Sequence, residues 1–362
     1  MDKKKQIIIS LVLIIALFAG LWILERMVGT NSMLIVVLKK AVIYALLVAS
    51  INLLQGFSGL FSLGEAGFML LGAYTYAIFT IPEAVKGNVY QYYNGGIIHV
   101  NLPVWMALIL GGLVAAFFAF LIGFVVLKLK SDYLAIATLG FAEIIRAVFQ
   151  WDALGGITNG SNILRSFPGF KSVLYPFAVV GLCMTAMMLL INSSYGRAYK
   201  AIRDDEIAAE AMGINLFKTK LQAFVISSFF AGIGGGLLAM YQLTVKASTF
   251  TSGLSDELLL IAVIGGIGSM TGSVIASFLY VAANEWWLRF LDQPAFIGTF
   301  QVPLLRSGFR KVVFSVIIML IVLFYHQGLM GTREFSIAGI FEKLMGLRKK
   351  KKAKVSGGGT EK

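Results

Sequence analysis

Glu143 and Arg146 stand three residues apart in the otherwise apolar stretch DYLAIATLGFAEIIRAVFQ, residues 132–150. A helix sets such a pair on one face, where the two charges can neutralise each other. An ionisable group at membrane depth is costly and is a functional suspect by default. The pairing also admits a plain structural reading, a neutralised pair near the outer end of a helix. The chain has few other candidates of this kind.

Two glycine-rich interruptions offer backbone rather than side-chain chemistry. The first, QGFSGLFSLGEAGF over 55–68, holds Ser58, Gly59, Ser62, Gly64 and Glu65 between two apolar runs. The second brings Gly265, Gly266, Gly268, Ser269 and Gly272 into the middle of another. Irregular backbone at membrane depth must be buried in protein or line a wet cavity, because lipid cannot satisfy its amides. Broken helices build translocation sites in many transporters, their half-helix ends offering partial charges to the substrate. The competing reading is close helix packing through small residues, the role expected of Gly232–Gly236.

A third candidate is polar. The segment YGRAYKAIRDDEIAAEAMGINLFKTK, 195–220, carries an Asp204 or Asp205 cap, a short helical run over 207–212 and a Gly213 stop. Ala208, Ala209 and Ala211 keep the helix slim enough to enter a groove on another protein, with Gly196 before it. Arg197, Arg203, Glu206 and Glu210 supply rim charges. An amphipathic connector lying on the membrane surface would read the same way.

Several chemistries have no residues to support them. There is no Gly-x-x-x-x-Gly-Lys-[Ser/Thr] loop for ATP phosphates, no His-Glu-x-x-His and no hydrolase elbow. Nor does the sequence display an intramembrane Asp/Glu/His relay. Cys183 is the single cysteine, and His99 and His326 are the only histidines, so neither a disulfide nor a metal site is expected.

The elements that must position these groups are membrane helices. The 362 residues are 58% hydrophobic and 14% charged, against about 25% charged in soluble domains. Runs of the length a span requires occupy 7–24, 33–54, 66–81, 103–127, 133–149, 174–191, 221–241 and 312–325. The stretch 258–287 can hold two shorter segments, which brings the count to about ten in an all-α polytopic membrane protein. The first run follows Lys3–Lys5 like a signal peptide but exceeds a typical apolar core and lacks a cleavage site, so it reads as a retained helix. The expected organisation is an N-terminal cytoplasmic end with the first helix (1–40), a transmembrane domain (41–331) and a basic, disordered tail (332–362).

The net charge of +13 concentrates at the termini and in 193–219. Juxtamembrane clusters of this kind mark the cytoplasmic side and argue against nucleic acid as the partner. Both termini and 193–219 are therefore expected inside, and the loops 82–102 and 151–172 outside.

Taken together, these segments resemble the LivM-type permease of branched-chain amino-acid ABC importers. SGLFSLGEAGFMLLGAY (58–74) is similar to that family's Gly-rich segment, and 132–150 to its fifth helix. GGITNGSN (155–162) is similar to the loop after that helix, and 195–214 to the cytoplasmic coupling loop. LLLIAVIGGIGSMTGSVIAS (258–277) and HQGLMG (326–331) complete the likeness in the family's order. Two departures stand out: Glu65 where the family often has His, and His326 where it commonly has Arg. The resemblance implies a non-enzymatic transport subunit in a bacterial cytoplasmic (inner) membrane. It also implies a LivH-type permease partner, two cytoplasmic ATPases that hold the ATP, and an extracytoplasmic substrate-binding protein; this chain itself would bind no cofactor. The ATPase-coupling residues would be Gly196, Arg197, Arg203, Asp205, Glu206, Ala209, Glu210, Ala211 and Gly213. One other reading remains open, a facilitative channel or secondary carrier for small neutral solutes such as urea or short amides; a membrane enzyme of lipid metabolism is disfavoured, because no catalytic constellation is visible.

Overall fold

The computed structural model describes residues 3–288 apart from 30, 31, 129 and 130, and then 296–297, 300–301, 312–313, 315–316, 319 and 328–331. The expected span over 312–325 lies largely, and the basic tail wholly, outside the described residues.

Long apolar runs become helices because no other open structure satisfies every backbone amide within its own segment. Helix α1 (Lys3–Val28) covers the first apolar run and α2 (Met33–Asn52) the second, which continues as a π turn over Leu53–Phe57. After an extended stretch come α3 (Glu65–Thr80), a short α4 (Glu83–Val89), α5 (Val104–Val126) and α6 (Ser131–Gln150). A brief α7 (Gly155–Thr158) leads to α8 (Leu174–Asn192), and α9 (Ser194–Asp204) and α10 (Glu206–Ala211) follow. The 27-residue α11 (Leu216–Gln242) precedes α12 (Ser252–Gly265) and α13 (Met270–Ala282), the last prolonged by a π turn to Trp287.

Among the described residues five helices are long and apolar enough to cross a membrane, or six if the pair 252–265 and 270–287, bent by 118°, counts as one span. Helix α3 has 16 residues and falls short of the ~20 a straight span takes. Among the described residues the strands are two-residue antiparallel pairs, β1 (Leu164–Arg165) with β2 (Thr244–Val245) and β3 (Phe296–Ile297) with β4 (Phe300–Gln301).

Helix α11 is the centre. It packs on α5, α3 and α2, while α13 lies along α2. Bare backbone makes these approaches possible. A Cβ on Gly72 would lie 1.9 Å from the Gly232 carbonyl oxygen, and one on Gly235 would lie 2.0 Å from that of Met69. Without a hydrophobic force between helices in lipid, such backbone contact is what holds them together. At 1.5 Å per residue α11 is about 40 Å long. Its first turn lies beside α9 and α10 and its last beside β2, so 194–211 and the 164–165/244–245 pair occupy opposite ends of the molecule.

Candidate functional site

The two glycine-rich interruptions meet, and Asn52 joins them. This last residue of α2 donates from Nδ2 to the Gly266 carbonyl (3.2 Å), the Ser269 carbonyl (2.9 Å) and Ser273 Oγ (2.8 Å). Its Oδ1 accepts from the Gly268 amide at 2.7 Å. The amide side chain thus supplies partners to backbone that the bend leaves outside any helix, and Asn52 is 1% exposed. Gly56 makes room for this contact, since a Cβ there would fall 1.9 Å from Asn52 Oδ1 and 2.4 Å from the Gly268 nitrogen. Gly266 (φ +112°) and Gly268 (φ +93°) take backbone angles open to glycine. Gly265 and Gly272 touch backbone to backbone across the bend, and Gly268 packs on Gly56, so both glycines of the Gly-x-x-x-Gly step 268–272 serve contacts within this chain. Ser269 caps α13 by accepting from the Gly272 amide at 3.1 Å. Residues 328–331 close the far side: the Leu329 and Met330 amides donate to the Ile264 and Gly265 carbonyls, the free end of α12.

The remaining residues of the first interruption fan out. Ser58 donates to the Leu54 carbonyl at 2.6 Å, and the Ser62 carbonyl accepts from Gln55 at 2.8 Å. Gly64 abuts Thr138 of α6. Glu65, 3% exposed, accepts from Ser50 Oγ at 2.6 Å, and the Ser50 carbonyl accepts from Ser227 of α11. Its carboxylate is therefore enclosed by this chain's own helices. It also stands in the first turn of α3, where a negative charge meets the helix dipole. Glu143 and Arg146 form the expected ion pair, with Arg146 Nε 2.8 Å from Glu143 Oε2 and both side chains part-exposed.

In the polar segment the cap is Asp205, whose Oδ1 accepts from the amides of Ile207 (2.9 Å) and Ala208 (3.1 Å). Gly213 (φ +85°) ends the helix, its amide reaching the Glu210 carbonyl while that of Ile214 reaches Ala209. The slim face needs a correction. Ala209 is 3% exposed and packs inside the chain, whereas Ile207 (82%) and Met212 (83%) point outward beside Ala208, Glu210 and Ala211. Two of the rim charges are paired within the chain, Glu206 with Lys220 at 2.6 Å and Arg203 with Asp204 at 2.8 Å, while Glu210 stays exposed. Arg203 Nη1 further donates to the Gly56 carbonyl at 2.9 Å, tying this segment to the first interruption. Gly196 lies against the Ile191 carbonyl, and Arg197 is exposed. Phe57, Met188, Ile191, Lys200, Arg203 and Gly268 line a cleft of about 410 Å³ between these elements.

Asn52 escaped the sequence reading because a lone Asn in an apolar run carries no pattern. A second cluster escaped it as well. Lys40 of α2 pairs with Glu285, Tyr280 donates to Glu257 at 2.8 Å, and Tyr44 stacks on Tyr280. Charges embedded in three helices were thus present, and the signal was Lys39-Lys40 within the second apolar run. At the end of the molecule opposite α9 and α10, Tyr93 donates to Asp152 at 2.9 Å, bracing 82–102 against 151–172. Hydrogen bonds from Lys86 and His99 hold the Glu83 carboxyl below the usual carboxylate range.

Comparison with known proteins adds to this geometry. Residues 33–333 match the family described as branched-chain amino acid transport system / permease component. The chain is 35% identical over 275 residues to the high-affinity branched-chain amino acid transport system permease protein LivM of Salmonella typhimurium, covering 67% of this chain and 61% of that one. It is 34% identical over the same length to LivM of Escherichia coli, again 61% of that protein. Against the probable LivM of Methanocaldococcus jannaschii it is 23% identical over 336 residues, 84% of this chain and 94% of the other. No solved structure matches.

Proposed function

The chain belongs to the family of branched-chain amino acid transport system permease components, and on that premise we propose that it is the transmembrane permease subunit of an ABC importer carrying branched-chain amino acids into the cytoplasm. The observation that carries the reading is α10. It is a short helix capped at both ends that presents Ile207, Ala208, Ala211 and Met212 to solvent. Large apolar side chains exposed together on a surface mark an interaction site. An importer subunit with no phosphate-cradling loop of its own is energised by a separate ATPase, and we assign α10 as the seat of that cytoplasmic ATPase. Two such ATPases would hold the ATP, a LivH-type permease would form the other half of the pathway, and an extracytoplasmic binding protein would deliver substrate to 82–102 and 151–172. This chain is a transport subunit, not an enzyme.

In this reading the chain crosses a bacterial cytoplasmic membrane about ten times with both termini inside. Helices α1, α2, α3, α5, α6, α8, α11, α12 and α13 alternate in direction, and 312–325 returns the chain to the cytoplasm. The end of α1 meets the start of α8, where Glu25 accepts from the Val173 amide at 3.0 Å, as this alternation requires. The pathway is assigned to the two broken helices and the residues around them: Ser58, Gly59, Ser62, Gly64 and Glu65, and Gly265, Gly266, Gly268, Ser269 and Gly272.

The test is purification of the chain with its ATPase and ATP-dependent leucine uptake in reconstituted vesicles. Changing Ile207 and Met212 together to Asp is expected to abolish ATPase capture while leaving membrane insertion intact. Uptake that persists with no ATPase present would overturn the proposal.

A further inference from the structure

Helix α9 grips the first interruption at several points. Arg203 Nη1 donates to the Gly56 carbonyl at 2.9 Å, and its Nη2 and Nε hold Asp204, the residue before the α10 cap. Lys200 Nζ stands 5.5 Å from the centre of the Phe57 ring, within the range of a cation–π contact. Gly59 (φ +72°) is bare where Arg203 passes, its missing Cβ 3.2 Å from Arg203 Cα. The gripped element is a π turn, 53–57, an irregularity that recurs at functional sites. Beyond it the path continues without a gap. Gly56 touches the Gly268 backbone, and Asn52, one residue before the π turn, holds Gly266, Gly268, Ser269 and Ser273 on both sides of the 118° bend.

We propose that Arg203 is the positioning residue that transmits movement of the α10 surface to the bend between α12 and α13, acting through the Gly56 carbonyl and Asn52. This inference rests on the importer reading and deepens it. The exposed face of α10 receives the partner, whereas Arg203 faces the chain's own interior and carries displacement onward. Packed, fully hydrogen-bonded elements move as bodies rather than deforming continuously, so a shift of α9 must carry the π turn with it or break this contact. Coupling of this kind needs an element that both sites bias; the bend, closed on one side by Asn52 and on the other by 328–331, is that element.

The experiment uses the complex of this chain with its permease and ATPase partners in lipid nanodiscs and proteoliposomes. Hydrogen exchange is followed at 205–213 and at 264–273 with and without ATP. In the unaltered complex both peptides are expected to change on adding ATP. In Arg203→Gln the ATPase stays bound and 205–213 still responds, but 264–273 no longer does. Leucine moved per ATP then falls about tenfold, the order expected for losing a hydrogen bond from a charged donor. Arg203→Lys, which keeps one charged donor, is expected to recover most of that loss. An unaltered complex in which 205–213 responds to ATP and 264–273 does not overturns this inference alone, without recourse to any variant. So does an Arg203→Gln variant that no longer holds the ATPase, because Arg203 would then be a docking residue. A chain that transports with no ATPase bound overturns the importer reading, and this inference falls with it.

Discussion

At the scale of single residues, Asn52 carries the largest expected effect. Its side chain makes four hydrogen bonds to the bend, all buried. Asn52→Ala strands the Gly268 amide and leaves a void beside it, and each unsatisfied buried group costs about 1–3 kcal/mol. Thermal unfolding in detergent is therefore expected to shift down by several degrees; an unchanged midpoint would show that the bend holds itself. Glu65 makes a different case. Glu65→Gln can keep the Ser50 contact and the volume, so the fold should survive. The comparison to run is uptake of leucine against urea and short amides in Glu65→Gln and Glu65→His. A change in selectivity with normal expression supports the pathway assignment for 58–65, and wild-type behaviour in both variants removes it.

At the scale of elements, the seam between α3 and α11 and the seating of α10 make opposite predictions about bulk. Gly72→Ala or Gly235→Ala would drive a methyl group to within 2.0 Å of a backbone carbonyl, where no rotamer change relieves the clash. These variants should insert but lose the α3–α11 contact, read as proteolysis of the detergent-solubilised protein. In α10, Ala209 is buried against its own chain, so Ala209→Trp is expected to unseat the helix at about 1–3 kcal/mol for overpacking. The outward Ala208→Trp should instead leave the chain intact and block the partner. Pull-down of the ATPase with parallel circular dichroism separates the two outcomes. Equal behaviour of both variants would mean that α10 does not present the face described.

At the scale of the whole molecule, the 27 residues of α11 separate the polar segment from the loops 82–102 and 151–172 by about 40 Å, enough to span a bilayer. Single cysteines at Asn94 and Glu210 in a Cys183→Ser background test the orientation. Asn94→Cys is expected to react with an impermeant maleimide in intact cells, and Glu210→Cys only after the membrane is opened. The reverse pattern would invert the topology and move α10 away from any cytoplasmic ATPase.

Much of this was legible from the sequence because it rests on local rules. Apolar length sets where helices run, Asp205 and Gly213 bound α10 through backbone geometry that few other residues satisfy, and Glu143 and Arg146 pair because helical spacing makes them neighbours. Motif order was enough to indicate the family. Tertiary structure alone decided what meets across the chain. Asn52 and Gly268 are 216 residues apart, and nothing in either local pattern encodes their contact. Which face of α10 turns outward depended on its packing against α9 and α11, since its short run of alanines is apolar on more than one side. The inward turn of Arg203 has the same origin: an exposed arginine and one bonded to a distant carbonyl read alike until folding brings the Gly56 carbonyl beside it.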